Sequence, residues 1–154
     1  MKIALLFFLI FTVLVVWAEG HTPTKMELSA SSDMDALRTW KDLDAWRKKY
    51  APIYDDGFYA EGLSDFVERK LTTDWRSLNE LVSLSDSSPG LFEFAIGHLG
   101  EITNCASANS IVGNAISNCP SGLQSYCKHI QDALVPGASP ECLPTPNPAL
   151  QRAP

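Results

Sequence analysis

Apolar residues recur every three or four positions over most of the chain, and no segment alternates convincingly between apolar and polar residues. A spacing of three or four places side chains on one face of an α-helix, whereas alternation at every second position is typical of a half-buried strand. The longest such series comprises Met34, Leu37, Trp40, Leu43, Trp46 and Tyr50. The pattern therefore predicts helices and no strands.

Residues that start and stop helices divide this pattern into elements. Asp33 is a good N-cap residue and a helix rarely continues past Pro52, so the first helix is predicted between them. Residues 53–62 are predicted to form a loop. A shorter second helix follows, with an apolar face made of Leu63, Phe66, Val67 and Leu71.

The second half of the chain contains four further helix signals. Asp74 predicts the N-cap of a third helix, and Ser88 followed by Pro89 predicts the start of a fourth. A short fifth helix is expected near Ser110, and a capping box that begins at Ser121 predicts the last one. The fold is therefore predicted to be all-α, a compact bundle of five or six helices, with HEAT-like helical hairpins as the alternative arrangement.

The two ends of the chain differ in composition from the helical part. Residues 1–18 are apolar except for one lysine and one threonine, which predicts a secretory signal peptide cleaved before Glu19. An uncleaved anchor is the alternative, although the run is shorter than the ~20 residues of a spanning helix. Residues 19–32 are predicted to be a flexible leader, 33–135 the helical domain and 136–154 a proline-rich tail.

All four cysteines lie in the last third of the chain, at Cys105, Cys119, Cys127 and Cys142. An even number of cysteines behind a signal peptide predicts two disulfides and export to an oxidising compartment, with the periplasm favoured and an extracellular location as the alternative. Three pairings are possible. If the helices that flank Pro120 are antiparallel, the nested pairing of Cys119 with Cys127 and of Cys105 with Cys142 is favoured.

The charge balance limits the classes of partner. Without the predicted signal peptide the chain keeps eleven basic and eighteen acidic residues, a formal net charge of −7. This charge argues against binding to nucleic acid or to anionic membrane surfaces. Six acidic residues of the first half could form a surface that meets a basic partner, with ordinary solubility as the alternative. These are Asp42, Asp44, Asp55, Asp56, Glu61 and Asp65.

Two histidines have acidic neighbours three residues later, His98 with Glu101 and His129 with Asp132. A histidine beside a carboxylate can act as a general base, but on a helix this spacing is more often a solvated pair. No nucleophile elbow, phosphate-binding loop or zinc-protease motif is present. The sequence therefore predicts no catalytic residue and a protein that is not an enzyme.

The run Asp55-Asp56-Gly57 is similar to part of a calcium-binding loop. With Gly57 at the sixth position of such a loop, the first and twelfth ligands would be Pro52 and Leu63, which cannot coordinate calcium. A tight acidic turn is therefore predicted here, and no metal or cofactor is expected.

Residues 74–134 resemble a group of small exported bacterial helical proteins. The resemblance lies in the segment 92–99, in 111–114, and in the runs Asn118-Cys119-Pro120 and Tyr126-Cys127-Lys128. It implies a bridge between Cys119 and Cys127 and assigns no functional residue. In size, export and helicity the chain is also similar to periplasmic immunity proteins, which bind and neutralise toxins from rival cells.

These observations lead to two expectations for function. The first is an exported, non-enzymatic protein that binds another protein. The most specific form of this hypothesis is that the partner is a basic toxin or effector. The protein is not expected to insert stably into a membrane once the signal is cleaved. The alternative is a carrier that holds an apolar small molecule or lipid between helices lined by Trp40, Trp46 and Phe92.

Overall fold

The computed structural model describes residues 22–99 and 104–134. These residues form seven α-helices and one 3₁₀ turn, and they contain no strand. The all-α prediction is therefore confirmed, with more helices than the five or six expected. The elements are α1 Lys25–Asp35, α2 Trp40–Tyr50, α3 Gly57–Thr73, the 3₁₀ turn Trp75–Ser77, α4 Leu78–Ser87, α5 Leu91–Gly97, α6 Cys105–Ser117 and α7 Gln124–Leu134.

The predicted flexible leader over residues 19–32 is wrong where the structure describes it, because α1 begins inside this segment. The side chain of Thr24 accepts a hydrogen bond from the Glu27 amide, and the Glu27 carboxylate accepts one from the Thr24 amide. This capping box satisfies two backbone groups that a helix start leaves unpaired. Ala30 and Met34 then bury the inner face of the helix.

The predicted continuous first helix is likewise wrong, because a turn over residues 36–39 separates α1 from α2. Thr39 is extended and forms a second capping box with Asp42. The predicted N-cap Asp33 lies inside α1, where its carboxylate binds Lys49 and Tyr50. The chain therefore turns back at residue 39 and places α2 against α1.

The core is one cluster to which all seven helices contribute. The predicted apolar faces are buried, and the largest fully buried side chains are Trp40, Tyr50, Phe66, Leu37, Leu43, Leu63, Leu71, Leu78, Leu81, Leu91, Ile96 and Ile111. The fifth predicted helix was expected to bury Val112, Ala115, Ile116 and Cys119. Ala115 is buried and Val112 and Cys119 pack against the core, but Ile116 is 67% exposed and Ile111 is buried in its place.

Contacts between helices fix the relative directions of α1, α2 and α3. The indole nitrogen of Trp46 donates to the carbonyl of Ala30 at 2.9 Å, which ties the last half of α2 to the middle of α1. The hydroxyl of Tyr59 donates to the carbonyl of Glu27 at 3.1 Å, which joins the first turns of α1 and α3. The start of α3 therefore lies beside the start of α1, whereas the end of α2 contacts Asp33 near the end of α1.

The disulfide between Cys119 and Cys127 confirms one predicted pairing, with the two α-carbons 6.1 Å apart. It joins the turn after α6 to the first turn of α7. Cys105 lies at the start of α6 and is not a free thiol. Cys142 lies outside the described residues, so one disulfide is seen where two were expected, and the pairing of Cys105 with Cys142 stays a prediction.

The predicted signal peptide and proline-rich tail also lie outside the described residues. Among the helices that the structure describes, none combines the length and the apolarity needed to cross a membrane. The Cys119–Cys127 disulfide is compatible with export.

Candidate functional site

Two large apolar side chains, Ile53 and Phe58, are each 61% exposed around the loop between α2 and α3. We call the surface formed by these two residues the apolar end. Three other large apolar side chains are exposed in the described residues, namely Met26 and Leu28 on the first turns of α1 and Ile116 on α6. Ile53 and Phe58 lie at the two ends of one short loop, which distinguishes them from apolar residues scattered singly over the surface.

A cluster of aromatic rings supports the apolar end from beneath. The ring of Tyr59 lies 5.2 Å from that of Tyr54, 5.5 Å from that of Phe58 and 6.1 Å from that of Trp46, measured between centroids. Burial raises the pKa of the Tyr59 hydroxyl, and the negative charge of Glu27 raises it further. The hydroxyl therefore keeps its proton at neutral pH and donates to α1 while Phe58 stays exposed above it.

Three of the six acidic residues predicted to bind a partner adjoin the apolar end. Asp55 and Asp56 are exposed in the loop between Ile53 and Phe58, and Glu61 is exposed three residues after Phe58. Residues three apart on a helix share a face. Neither Asp56 nor Glu61 forms an ion pair with another residue in the described part of the chain. These two carboxylates are available to a partner.

The other three predicted residues do not belong to this surface. Asp44 is 9% exposed and binds residues of its own chain, so its prediction as a partner contact is wrong. Asp42 is exposed but belongs to the capping box of α2. Asp65 borders a separate depression of about 470 Å³, whose lining also includes Arg38 and Arg69.

The basic residues in the last turn of α2 do not neutralise the acidic loop that follows them. Arg47 and Lys48 bind Asp44 at 3.0 and 2.6 Å, and Lys49 binds Asp33 at 3.1 Å. Each cation is thus held by a carboxylate of α1 or α2. In the loop between α2 and α3, Asp55 faces His98, whereas Asp56 forms no ion pair with another described residue.

A cleft of about 590 Å³ lies between α3 and α5 and adjoins the apolar end at Asp55. Its lining includes Asp55, Ala60, Ser64, Glu93, Phe94 and His98. The hydroxyl of Ser64 donates to the carbonyl of Ala60 at 2.8 Å, within its own helix. The cleft therefore combines carboxylates with aromatic rings, and its one buried hydroxyl already has a partner.

His98 is held between two oxygen atoms at the edge of this cleft. Nδ1 lies 2.8 Å from the carbonyl of Phe94, and Nε2 lies 3.1 Å from a carboxylate oxygen of Asp55. Its side chain is only 9% exposed. A neutral imidazole has one donor nitrogen, so the tautomer decides which of the two oxygen atoms receives a hydrogen bond from the ring.

The sequence neighbours of the two histidines are not the partners that the structure shows. Glu101, the predicted neighbour of His98, lies outside the described residues. His129 lies 3.4 Å from Glu93, while its predicted neighbour Asp132 binds Lys128 at 2.8 Å. In the described ranges no group of three or more histidine, cysteine or acidic residues is arranged to hold a metal ion.

The aromatic residues predicted to line a carrier pocket belong mainly to the core. Trp40 is fully buried and donates to the Ser77 hydroxyl at 2.9 Å, and Phe92 packs against Tyr126 at 4.8 Å between ring centroids. Trp46 borders only a depression of about 300 Å³ between α1 and α2. These three side chains therefore do not enclose one common pocket.

No family model, curated protein or solved structure matches the chain. The predicted resemblance to exported bacterial helical proteins therefore stays a prediction. The apolar end and the acidic loop within it are therefore the candidate binding surface.

Proposed function

We propose that the chain is an exported, non-enzymatic protein that binds another protein, and that a basic partner docks on the apolar end. One observation carries this proposal. Ile53 and Phe58 are each 61% exposed and flank a short loop in which Asp56 forms no ion pair with another described residue. Apolar anchors next to an unpaired charge are the combination that a protein partner of opposite charge fits.

The exposed apolar side chains supply a favourable energy for docking. Complete burial of an isoleucine or phenylalanine side chain stabilises a complex by about 1.5–3 kcal/mol. With 61% of each side chain still exposed, Ile53 and Phe58 each offer about 1–2 kcal/mol on binding. Aromatic anchors of this kind often provide much of the energy of an interface.

The support beneath Phe58 lowers the entropic penalty of binding. Its ring contacts Tyr59, which is fixed by the hydrogen bond to Glu27 and by the rings of Tyr54 and Trp46. A surface that already has its bound conformation loses less freedom when a partner docks. The apolar end is thus suited to tight binding without rearrangement.

Charge favours a basic partner. The chain without its predicted signal peptide has a net charge of −7, and Asp56 and Glu61 form no ion pair with another residue of the described ranges. Acidic side chains around an apolar anchor steer a positively charged protein toward the surface and raise its association rate. In its most specific form, the proposal is that the partner is a basic toxin or effector and that the protein neutralises it in the periplasm.

Capture from an envelope extract of the source organism tests the proposal. Immobilised protein is compared with a Phe58→Ser variant and with an Ile116→Ser variant, which removes an equally exposed apolar side chain from α6. We expect a basic protein to be retained by the wild type and by Ile116→Ser and to be lost with Phe58→Ser. If nothing is retained, or if all three proteins retain the same material, the proposal is wrong.

A further inference from the structure

The disulfide between Cys119 and Cys127 anchors the first turn of α7, the helix that packs against α5. Cys127 is 2% exposed, so the bridge reaches into the core. The ring of Tyr126, one residue before Cys127, lies 4.8 Å from that of Phe92 on α5, measured between centroids. The bridge therefore fixes the part of α7 that contacts α5.

Helix α5 connects α7 to the acidic loop between α2 and α3. At the start of α5, Phe92 lies 5.5 Å from the ring of His129, and the carboxylate of Glu93 lies 3.4 Å from the same imidazole. At the other end of α5, Nε2 of His98 lies 3.1 Å from a carboxylate oxygen of Asp55 in that loop. Because α5 has only seven residues, about two helical turns, a displacement of its start also moves its end.

We infer that the Cys119–Cys127 disulfide is a redox switch for the candidate binding surface. In the oxidised protein, α7 is docked against α5 and His98 holds the acidic loop at Asp55. In the reduced protein, the first turn of α7 is released from α5 and the loop loses the support of His98. The consequence for binding rests on the proposed function, since only the oxidised protein then presents a preorganised apolar end to its partner.

The chemistry of the switch is a thiol–disulfide exchange. When the bridge forms, the two cysteine thiols lose their protons and pass two electrons to a second disulfide, which takes up two protons and becomes two thiols. This second disulfide belongs to a small molecule or to an oxidoreductase of the oxidising compartment predicted for the chain. Before the chain reaches that compartment, its thiols are reduced and its binding surface is not held in place.

The bridge stabilises the docked position of α7 because it restricts the chain when the helix is undocked. It joins residues that are eight positions apart in the sequence. Closing a loop of this size changes a folding equilibrium by about 10- to 100-fold. Local opening of α7 should increase by a similar factor when the bridge is absent.

The acidic loop contains its own reporters of this coupling. The amides of Ile53 and Tyr54 both donate to the carbonyl of Tyr50 at 2.9 Å, which protects them from exchange with solvent. If His98 no longer holds Asp55, the loop opens more often and these two amides exchange faster. Loss of one such hydrogen bond corresponds to a change of about 2- to 10-fold.

Hydrogen exchange of the purified protein, followed by NMR, tests the switch without any partner. The wild type is compared with the double variant Cys119→Ser/Cys127→Ser. We expect exchange in the variant to be about 10- to 100-fold faster in α7. It should be about 2- to 10-fold faster at Ile53 and Tyr54, and unchanged in α1.

A second variant tests the last link while the disulfide stays intact. His98→Phe keeps an aromatic ring beside Phe94 and removes the nitrogen that faces Asp55. It should speed exchange at Ile53 and Tyr54 by about 2- to 10-fold and leave α7 as in the wild type.

The matched control changes α7 without touching its contact with α5. Lys128→Gln removes an exposed ion pair with Asp132, whose atoms are 2.8 Å apart. Exposed pairs of this kind contribute little to stability, so this variant should exchange as the wild type does.

Three results would overturn the inference. Unchanged exchange in α7 of the double variant would show that the bridge does not control docking. Faster exchange in α7 with an unchanged loop in either variant would break the link to the binding surface. Faster exchange that includes α1 would show unfolding of the whole bundle in place of a local switch.

The proposed function is tested separately. Because no partner is present in the exchange measurements, their failure leaves capture of a basic protein at the apolar end unaffected. Conversely, if the wild type captures nothing from the extract, the coupling between the disulfide and the loop still stands or falls by the exchange rates.

Discussion

Replacing Asp44 by alanine is expected to lower the free energy of unfolding by about 3 kcal/mol, because it removes the centre of a buried network. The carboxylate of Asp44 accepts hydrogen bonds from Lys48 at 2.6 Å, from Arg47 at 3.0 Å and from Ser88 at 2.6 Å. Ser88 is buried at the junction of α4 and α5, so the network joins α2 to the second half of the bundle. In the Asp44→Ala variant, the side chains of Arg47 and Ser88 lose the carboxylate that both of them bind. They lose it at a site with little access to solvent.

The same network gives the stability a dependence on pH. Burial raises the pKa of Asp44, but the hydrogen bonds from Lys48, Ser88 and Arg47 lower it more, so the pKa lies below its ordinary value. A carboxylate with a lowered pKa in the folded state stabilises the protein above its unfolded pKa of about 3.9. This contribution to stability is lost as the pH falls through the pKa that Asp44 has in the folded protein.

Urea unfolding of the wild type and of Asp44→Ala at about pH 7 and about pH 3 measures both effects. The difference in free energy of unfolding between the wild type and Asp44→Ala should be largest at neutral pH and should become smaller in acid. Asp86→Ala, at an exposed site, should have a free energy of unfolding within about 0.5 kcal/mol of the wild type. Equal midpoints for Asp44→Ala and the wild type at neutral pH would show that the network does not hold the bundle together.

Replacing both Ile53 and Phe58 by serine is expected to weaken binding of the partner by about 100-fold while leaving the fold intact. Both side chains are 61% exposed, so most of their surface meets only solvent in the free protein. Burial of two such anchors accounts for about 3 kcal/mol of binding energy, which corresponds to this change in affinity. Calorimetric titration of the purified partner measures it, with Ile116→Ser as the control.

An unchanged affinity in the double variant would place the interface elsewhere on the protein. A second readout separates the apolar and the charged contributions. Asp56→Asn should slow association with little change in dissociation, and the difference should fade as the salt concentration rises. Unfolding midpoints close to the wild type would exclude loss of folding as the cause.

The helical fold could be predicted because large apolar residues follow the period of a helix, and burial of one face dominates its stability. The break between α1 and α2 could not be predicted from that period. Met34, Leu37 and Trp40 continue the apolar series through the turn, because residues on both sides of it face the same core. The capping partners Thr39 and Asp42 were the local signal for the break.

The candidate site was predicted only in part. Lys48 follows Asp44 at the spacing of a helical ion pair, which was a sequence signal that Asp44 would be neutralised. Ser88 and Asp44 are 44 residues apart, and His98 and Asp55 are 43 apart, so only the tertiary fold brings these pairs together. The exposure of Ile53 and Phe58 was missed, although both lie in the segment predicted to be a loop, and loops run over the protein surface.

Site-specific photo-crosslinking from the apolar end tests the central claim most directly. Phe58 is replaced by a photoreactive phenylalanine in one protein, and Ile116 is replaced in a second, so that both crosslinkers are exposed but lie on different elements. We predict that position 58 crosslinks to one protein, at a segment rich in lysine and arginine, and that position 116 does not. Crosslinking from position 116 alone, or from neither position, would contradict the assignment of the apolar end as the binding surface.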